Sequence, residues 1–348
     1  MADPVTVAVD ANGADLGPAE VAAGAALAAR RGTRVLLFGP AAEIGPVPEG
    51  VTAIDAPVSV AKAPEPAAAV RSTPEASIVR AARAVGAGEA DALVSGGSTG
   101  AAIAAGLFHV KRARGVHRPA LAVVLPAPGG RVLMLDVGAN VEVRPEHLVQ
   151  FAFIGAAFVR AVLGVGAPRV ALLSNGEERA RGTPGVVAAH AAIAARAAEV
   201  EGVAFVGNVE GTDVTAGVAD VIVTDGFTGN VALKLMEGVS QSILGAIREV
   251  AGASVRARAG GLLMRPALRA FRDGIDPEAS GGAYMLGLRR VGVVAHGRFG
   301  RRGFAEAIGV AERAVRGRAV ERTQEDLEAA GALRRAPSGA AASVHPSS

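Results

Sequence analysis

Two glycine-rich stretches carry the residues best suited to chemistry: SGGSTG, Ser95 to Gly100, and DGFTGN, Asp225 to Asn230. Each follows an apolar run and opens a helical pattern. Each therefore aims free backbone N–H groups and the positive end of a helix dipole at whatever lies above it, which suits phosphate or another oxyanion. The candidate contacts are Ser95, Gly97, Ser98, Thr99 and Gly100 in the first loop, and Asp225, Gly226, Thr228, Gly229 and Asn230 in the second. Lys234, one of three lysines in the chain, lies one turn beyond Asn230 on the same helix face. It either places a cation beside phosphate or is a solvated helix residue, and Asp225 has turn formation as its alternative role. Asp10, Asn12 and Gly13, then Asp136 and Asn140, then Glu177, form a second rank in loops of the same kind, again with turn formation as the alternative.

Other chemistries fit less well. Neither glycine loop is G-x-x-x-x-G-K-[ST], and no G-x-G-x-x-G follows the first apolar run, so free phosphate or a phosphorylated group is a better ligand than a nucleotide. Gly96 to Gly100 matches G-x-S-x-G, with Asp136 and His296 following in the order of a hydrolase triad. A phosphate-cradling or plain tight turn explains the same residues, because a chain rich in Gly, Ser and Ala makes this short pattern by chance.

Composition bounds the rest. The chain has 348 residues, half apolar and 3% aromatic, with a formal net charge of +3. That charge, without aromatic interleaving or a nucleic-acid motif, argues against nucleic acid as a partner. There is no cysteine, so disulfides, thiolate metal sites and a cysteine-linked acyl-enzyme are excluded. The six histidines show no metal-ligand spacing, and no metal is expected. The N-terminus reads as a first strand, not a signal peptide. No apolar stretch reads as a bilayer span, so a cytoplasmic protein is expected.

The elements that must position these loops alternate. Short apolar runs such as VTVAVD, RVLLFG, DALVSG, ALAVVLP, RVLMLDVG, RVALLSNG, VAFVGN, DVIVTDG and VGVVAHG read as strands buried on both faces. Alanine-rich helical stretches separate most of them. Pro18 suits a first helical position, and Thr73 reads as the N-cap of a helix through Pro74 and Glu75. The alternation predicts an α/β fold with a mostly parallel sheet and flanking helices, its polar loops gathered at the carboxyl edge where such sheets bind ligands. A single catalytic domain over 1–332 is expected, with a helical arm at about 238–275 and a disordered tail over 333–348. Residues 253 to 274 hold five arginines and the apolar Leu262, Leu263, Met264, Leu268 and Phe271. Gly260-Gly261 and Pro266 suggest a break there, with a short second helix starting near Arg265. This basic amphipathic segment reads either as an anchor to an anionic membrane surface or as an arm that packs on a second subunit.

The chain resembles the bacterial fatty acyl-ACP:phosphate acyltransferases of phospholipid synthesis. The resemblance runs from VAVDANGADLGP to VVAHG and is carried most specifically by LDVGANVEVRPEHLVQFA, GNVEGTDV, DVIVTDGFTGNVALKLMEG and GGAYMLGL. It implies a fold similar to isocitrate and isopropylmalate dehydrogenases and to phosphotransacetylase. It also implies transfer of a long-chain acyl group from acyl carrier protein to inorganic phosphate, and a homodimer associated peripherally with the membrane. The family usually has A-M-G-G-D where this chain has Ala11 to Asp15, and S-A-G-N-T-G where it has Gly97 and Ser98, so Ser98 is not expected to be an essential nucleophile. The Arg71 to Ser77 segment and His296 to Gly300 depart from the family pattern as well.

The chemistry agrees. A fixed phosphate is a competent nucleophile, and backbone N–H groups stabilise the developing oxyanion. A thiolate with a pKa near ~8.5 leaves with little acid assistance. Positioning supplies much of such a rate, and no cofactor, metal or covalent intermediate is required. In this scheme Asp225, Asn230 and Lys234 are the catalytic candidates. The other readings are a phosphotransacetylase-like enzyme using short acyl-CoA, a decarboxylating dehydrogenase, for which no NAD fingerprint is present, and a non-catalytic membrane scaffold for lipid enzymes.

Overall fold

The computed structural model describes residues 3–127, 130–274 and 277–334. The segment expected to be a disordered tail falls, from residue 335 on, outside the described residues. Eleven strands form one sheet: β1 (Thr6–Asp10), β2 (Arg34–Gly39), β3 (Val51–Asp55), β4 (Ala92–Ser95), β5 (Ala120–Ala127), β6 (Gly130–Leu135), β7 (Arg169–Leu173), β8 (Ala204–Val209), β9 (Val221–Val223), β10 (Ala283–Leu286) and β11 (Val291–Val294). Their spatial order is β3-β2-β1-β4-β11-β10-β5-β6-β9-β7-β8. The nine expected strands are all present, and β3 and β10 are additional.

Seven of the ten strand pairings are parallel, and the other three sit together in the middle, where β11, β10, β5 and β6 alternate in direction. This corrects the expectation of one carboxyl edge. The connection between β5 and β6 is too short for a parallel crossover, so it makes a hairpin. The strands beyond it consequently run opposite to β1 and β4. Loops after β1 and β4 leave one edge of the sheet; loops after β6, β7, β8 and β9 leave the other.

The core forms on both faces from small residues. On one side Ala22, Ala25 and Ala28 of the helix Pro18–Ala29 face the helix Arg301–Arg316, and a β-carbon at Gly24 would stand 2.6 Å from the Phe304 β-carbon. That close approach is how an alanine-rich, aromatic-poor sequence reaches interior packing density. The helix Pro145–Phe158, with its continuation to Leu163, is long and apolar enough to cross a membrane by length and composition, contrary to expectation. It is a core helix: Leu148 through Phe158 are buried.

Two helix starts differ from expectation. Thr73 ends the helix Pro66–Ser72, and its carbonyl accepts from the Ala76 N–H, closing a turn over Pro74 and Glu75. The next helix starts at Ser77, whose N–H is taken by the Val58 carbonyl. In the arm, the break lies at Ala253-Ser254, between the helices Gly226–Gly252 and Val255–Gly274, and not at Gly260 or Pro266. The Ser254 hydroxyl accepts from the Ala257 N–H and so caps the second helix. A β-carbon at Gly261 would lie 3.2 Å from that of Ala251, so this glycine serves close packing of the second helix on the first.

Candidate active site

Two polar centres occupy the strand ends. The first gathers Asp10, Asn12, Gly13, Ser95 and Gly97. The Ser77 hydroxyl donates to Asp10 Oδ1 (2.6 Å), the Ser95 hydroxyl to Oδ2 (2.9 Å), and the Asn12 N–H to Oδ1 (3.2 Å). Asn12 Nδ2 reaches the Ala56 carbonyl and the Ser77 Oγ, both at 3.0 Å. The Ser95 Oγ then accepts from the Gly97 N–H at 3.2 Å, so Asp10 fixes the glycine loop through Ser95. Gly13 has φ +89° and sits against Gly97, where a β-carbon would come within 2.9 Å of its Cα. Burial pushes the Asp10 carboxyl up to about 6, against the opposing pull of its three donors. Ser77 was not anticipated as a member of this centre. Its signal was slight: one small hydroxyl at a helix start, brought to Asp10 by a contact 67 positions apart in sequence.

Ser98 is the N-cap of the helix Thr99–Ala105, and its Oγ accepts from the Ala101 N–H at 3.4 Å. Thr99 and Gly100 are exposed in the first turn, where N–H groups have no intrahelical partner. No triad assembles around Ser98. Asp136 is committed elsewhere, and His296 Nδ1 accepts from the Arg298 N–H of its own turn.

The second centre joins Asp136 and Asn140 to the start of the helix Gly226–Gly252. Asp136 is buried. Its Oδ1 accepts from the N–H groups of Leu121, Gly138 and Ala139, and its Oδ2 from the N–H and Nδ2 of Asn140, at 2.7 to 3.2 Å. Burial raises its pKa and these donors oppose the rise. Asn140 Nδ2 also donates to the Pro119 carbonyl (2.8 Å), and the Asn140 carbonyl accepts from the Gly226 N–H (2.8 Å). Asp225 is the N-cap of this helix: Oδ1 accepts from the Thr228 N–H and Oδ2 from the Thr228 hydroxyl. Both glycines are required by contact. A β-carbon at Gly226 would lie 2.6 Å from the Asn140 carbonyl oxygen, and one at Gly229 would overlap that of Asp136. The exposed Asn230 projects beside Gly138, with its side chain 3.8 Å from where a β-carbon there would stand.

Lys234 is exposed and pairs with Glu237 at 2.8 Å. Glu177 is exposed at the end of β7, on the same sheet edge as Asp136. In that neighbourhood the organised contacts belong to Asn208, whose Nδ2 donates to the Glu178 carbonyl and whose Oδ1 meets His190 Nδ1 at 2.9 Å.

The two centres are separate. Five inter-strand steps lie between β1 and β6, about 24 Å at ~4.8 Å each. The helix that starts in the first glycine loop spans part of that gap. Ile103, about 7.5 Å along the helix axis from Ser98, lines a small apolar cleft with Pro119, Ala139 and Leu288. Among the described residues no group of three or more His, Asp or Glu stands close enough to hold a metal ion.

The arm continues from the second centre. Phe227, Val231, Leu235, Val239, Ile243 and Ile247 recur every four residues, all exposed, and Leu262, Leu263 and Met264 are exposed on the following helix. The side chains of Leu268 and Phe271 lie outside the described residues.

Comparison with known proteins gives a consistent result. The family model described as fatty acid synthesis protein matches residues 5–322. A phosphate acyltransferase of Anaeromyxobacter dehalogenans is 40% identical over 344 residues, covering 97% of this chain and 94% of that protein. A phosphate acyltransferase of Myxococcus xanthus is 46% identical over 212 residues, 60% of this chain and 59% of the relative, so that stretch spans about three fifths of the relative's length. Among solved structures, a phosphotransacetylase from Streptococcus pyogenes is similar, with a TM-score of 0.61 and 17% identity over 91% of this chain and 95% of that one; this likeness bears on the fold alone.

Proposed function

The chain belongs to the fatty acid synthesis protein family, and from that premise we propose that it transfers a long-chain acyl group from an acyl carrier protein thioester to inorganic phosphate, giving acyl phosphate for phospholipid synthesis. The observation that carries the reading is the 40% identity to a phosphate acyltransferase over nearly the whole of both chains. The second centre supports it. The Asp136–Asn140 loop and the helix start at Gly226 are locked together by the Asn140 carbonyl, and Asn230 faces solvent at their junction. Phosphate held at that helix start, with Asn230 donating to it, attacks the thioester carbonyl; the N–H groups of Gly226, Thr228 and Gly229 are taken by Asn140 and Asp225, so the helix dipole and the Phe227 N–H neutralise oxyanion charge as it develops. Asp225 acts by capping and orienting the helix. Lys234 supplies positive potential one turn away, moderated by Glu237. The apolar cleft beside Ala139 takes the adjoining part of the acyl or thioester arm.

In the same reading the enzyme is a cytoplasmic homodimer bound peripherally to the membrane. The apolar stripe from Val231 to Ile247 pairs with its counterpart on a second subunit, and Leu262, Leu263 and Met264 meet an anionic lipid surface. The architecture is taken as similar to that of isocitrate and isopropylmalate dehydrogenases, on resemblance alone.

The test supplies palmitoyl-ACP or acetyl-CoA with phosphate and traps product as hydroxamate. Phosphate-dependent product from palmitoyl-ACP is expected; product from acetyl-CoA alone would move the assignment to a phosphotransacetylase-like enzyme.

A further inference from the structure

The surface around the second centre carries six basic side chains, set in loops beside helices and strands. Lys111 and Arg112 follow the helical turn Gly106–Val110; Arg118 immediately precedes Pro119, whose carbonyl holds Asn140. Arg144 caps the helix Pro145–Phe158, and Arg289 is tied to the same surface by its N–H to the Lys111 carbonyl and its Nε to the Arg112 carbonyl. The Arg334 N–H reaches the Gly115 carbonyl, bringing the last described residue into the group. All six side chains are exposed. Among the described residues, only Arg144 of the six has a carboxylate ion-pair partner, Glu146 at 3.6 Å with both side chains well exposed. His117 and His147 lie beneath the rim with ring centres 5.6 Å apart. Burial holds both below the usual imidazole range, with Arg112, Arg144 and Arg334 adding to the effect at His117 and Glu146 opposing it. The positive charge of this rim is therefore carried by its Arg and Lys side chains.

Two exposed apolar side chains adjoin the rim. Val141 and Phe227 are 65% and 62% exposed, and the hydrogen bond from the Gly226 N–H to the Asn140 carbonyl makes them neighbours. The tip of the arm is about 39 Å away along the helix Gly226–Gly252, so a lipid surface at the tip leaves this rim open.

We propose that this arginine rim, centred on Arg118 and Arg144, docks an acidic face of the carrier protein that presents the acyl thioester, with Val141 and Phe227 forming the apolar threshold its acyl arm crosses. The proposal rests on the acyl-carrier reading above. Cations around an apolar entrance steer an acidic partner and set its register, and their loss lowers association in a salt-dependent way. A small thioester needs no such surface, so the rim separates protein-borne donors from free ones.

The experiment compares the wild-type enzyme with R118Q/R144Q and R118E/R144E, each checked by thermal melting. Carrier binding is followed by fluorescence anisotropy of labelled holo-acyl carrier protein at low and high salt, and turnover is measured with palmitoyl-ACP and with palmitoyl-CoA. Charge reversal should weaken carrier binding and kcat/KM for palmitoyl-ACP about tenfold or more at low salt, with the neutral variant intermediate, little change with palmitoyl-CoA, and convergence at high salt. Unchanged carrier binding and turnover in both variants would overturn the docking surface and leave the acyl-transfer reading standing. Rim-dependent carrier binding without palmitoyl-ACP turnover would uphold the surface and sink that reading. Loss of binding to phosphatidylglycerol vesicles, with carrier binding intact, would make the rim a lipid contact and contradict the proposal.

Discussion

Gly229 packs against the carbonyl oxygen of Asp136 with no room for a β-carbon between them. The helix start and the Asp136 loop therefore move as one unit, and Asn230 is held at their junction. Gly229→Ala should separate them. Overpacking against backbone costs about 1–3 kcal/mol, and here the carbonyl cannot yield as a side chain would. The expected outcome is a lowered melting temperature and activity reduced by more than the unfolded fraction explains. A variant with wild-type stability and turnover would show that the two segments are not coupled.

Asp10 gives the protein a pH-dependent cost. Its carboxyl rises from the usual 3.8 to about 6 through burial, so the native state holds a proton that the unfolded chain has released. The associated stability is fully present below about pH 3.8 and is lost as pH rises towards 6, a difference on the order of 3 kcal/mol. Urea titrations of wild type and Asp10→Asn between pH 4 and 7 should show the variant gaining relative to wild type as pH rises. A stability difference that stays constant across that range would mean Asp10 does not titrate there.

The arm carries two apolar surfaces with different expected partners. Leu235→Glu/Ile243→Glu should dissociate the dimer, read by light scattering. Leu262→Glu/Leu263→Glu should leave the dimer intact and abolish co-sedimentation with anionic vesicles, since both residues are exposed and no dimer stripe includes them. Loss of sedimentation only on dissociation would assign the whole arm to subunit contact.

Much of this arrangement was legible in the sequence because it is local. Asp225-Gly226 and Ser98-Thr99 read as helix starts, and both are, each with a side-chain oxygen on an N–H three residues on. Residues buried on both faces read as strands for the same reason. What sequence periodicity does not contain is direction. The reversal at β10, β5 and β6 depends on a hairpin whose polarity follows from a short connection, and it put Asp10 and Asp136 on opposite edges where one edge was expected. Long-range partners were equally hidden: Ser77 on Asp10, and the close approach of Gly261 to Ala251 in an arm helix that runs through Gly260 and Pro266. Lys234 stood out by rarity, but its neighbour Glu237, three positions on, shares its charge.

The central claim is that phosphate is held and acylated at the junction of the Asp136 loop and the Gly226 helix. The most direct measurement is the phosphate dependence of acyl-phosphate formation from palmitoyl-ACP by wild type and by Asn230→Ala, with folding checked by circular dichroism. Loss of one charge-assisted hydrogen bond to phosphate is worth about 1.5–3 kcal/mol, so the variant should need roughly ten- to a hundredfold more phosphate. Lys234→Ala should show a smaller rise. An Asn230→Ala enzyme with the wild-type KM for phosphate and the wild-type kcat would place the phosphate elsewhere and contradict the account.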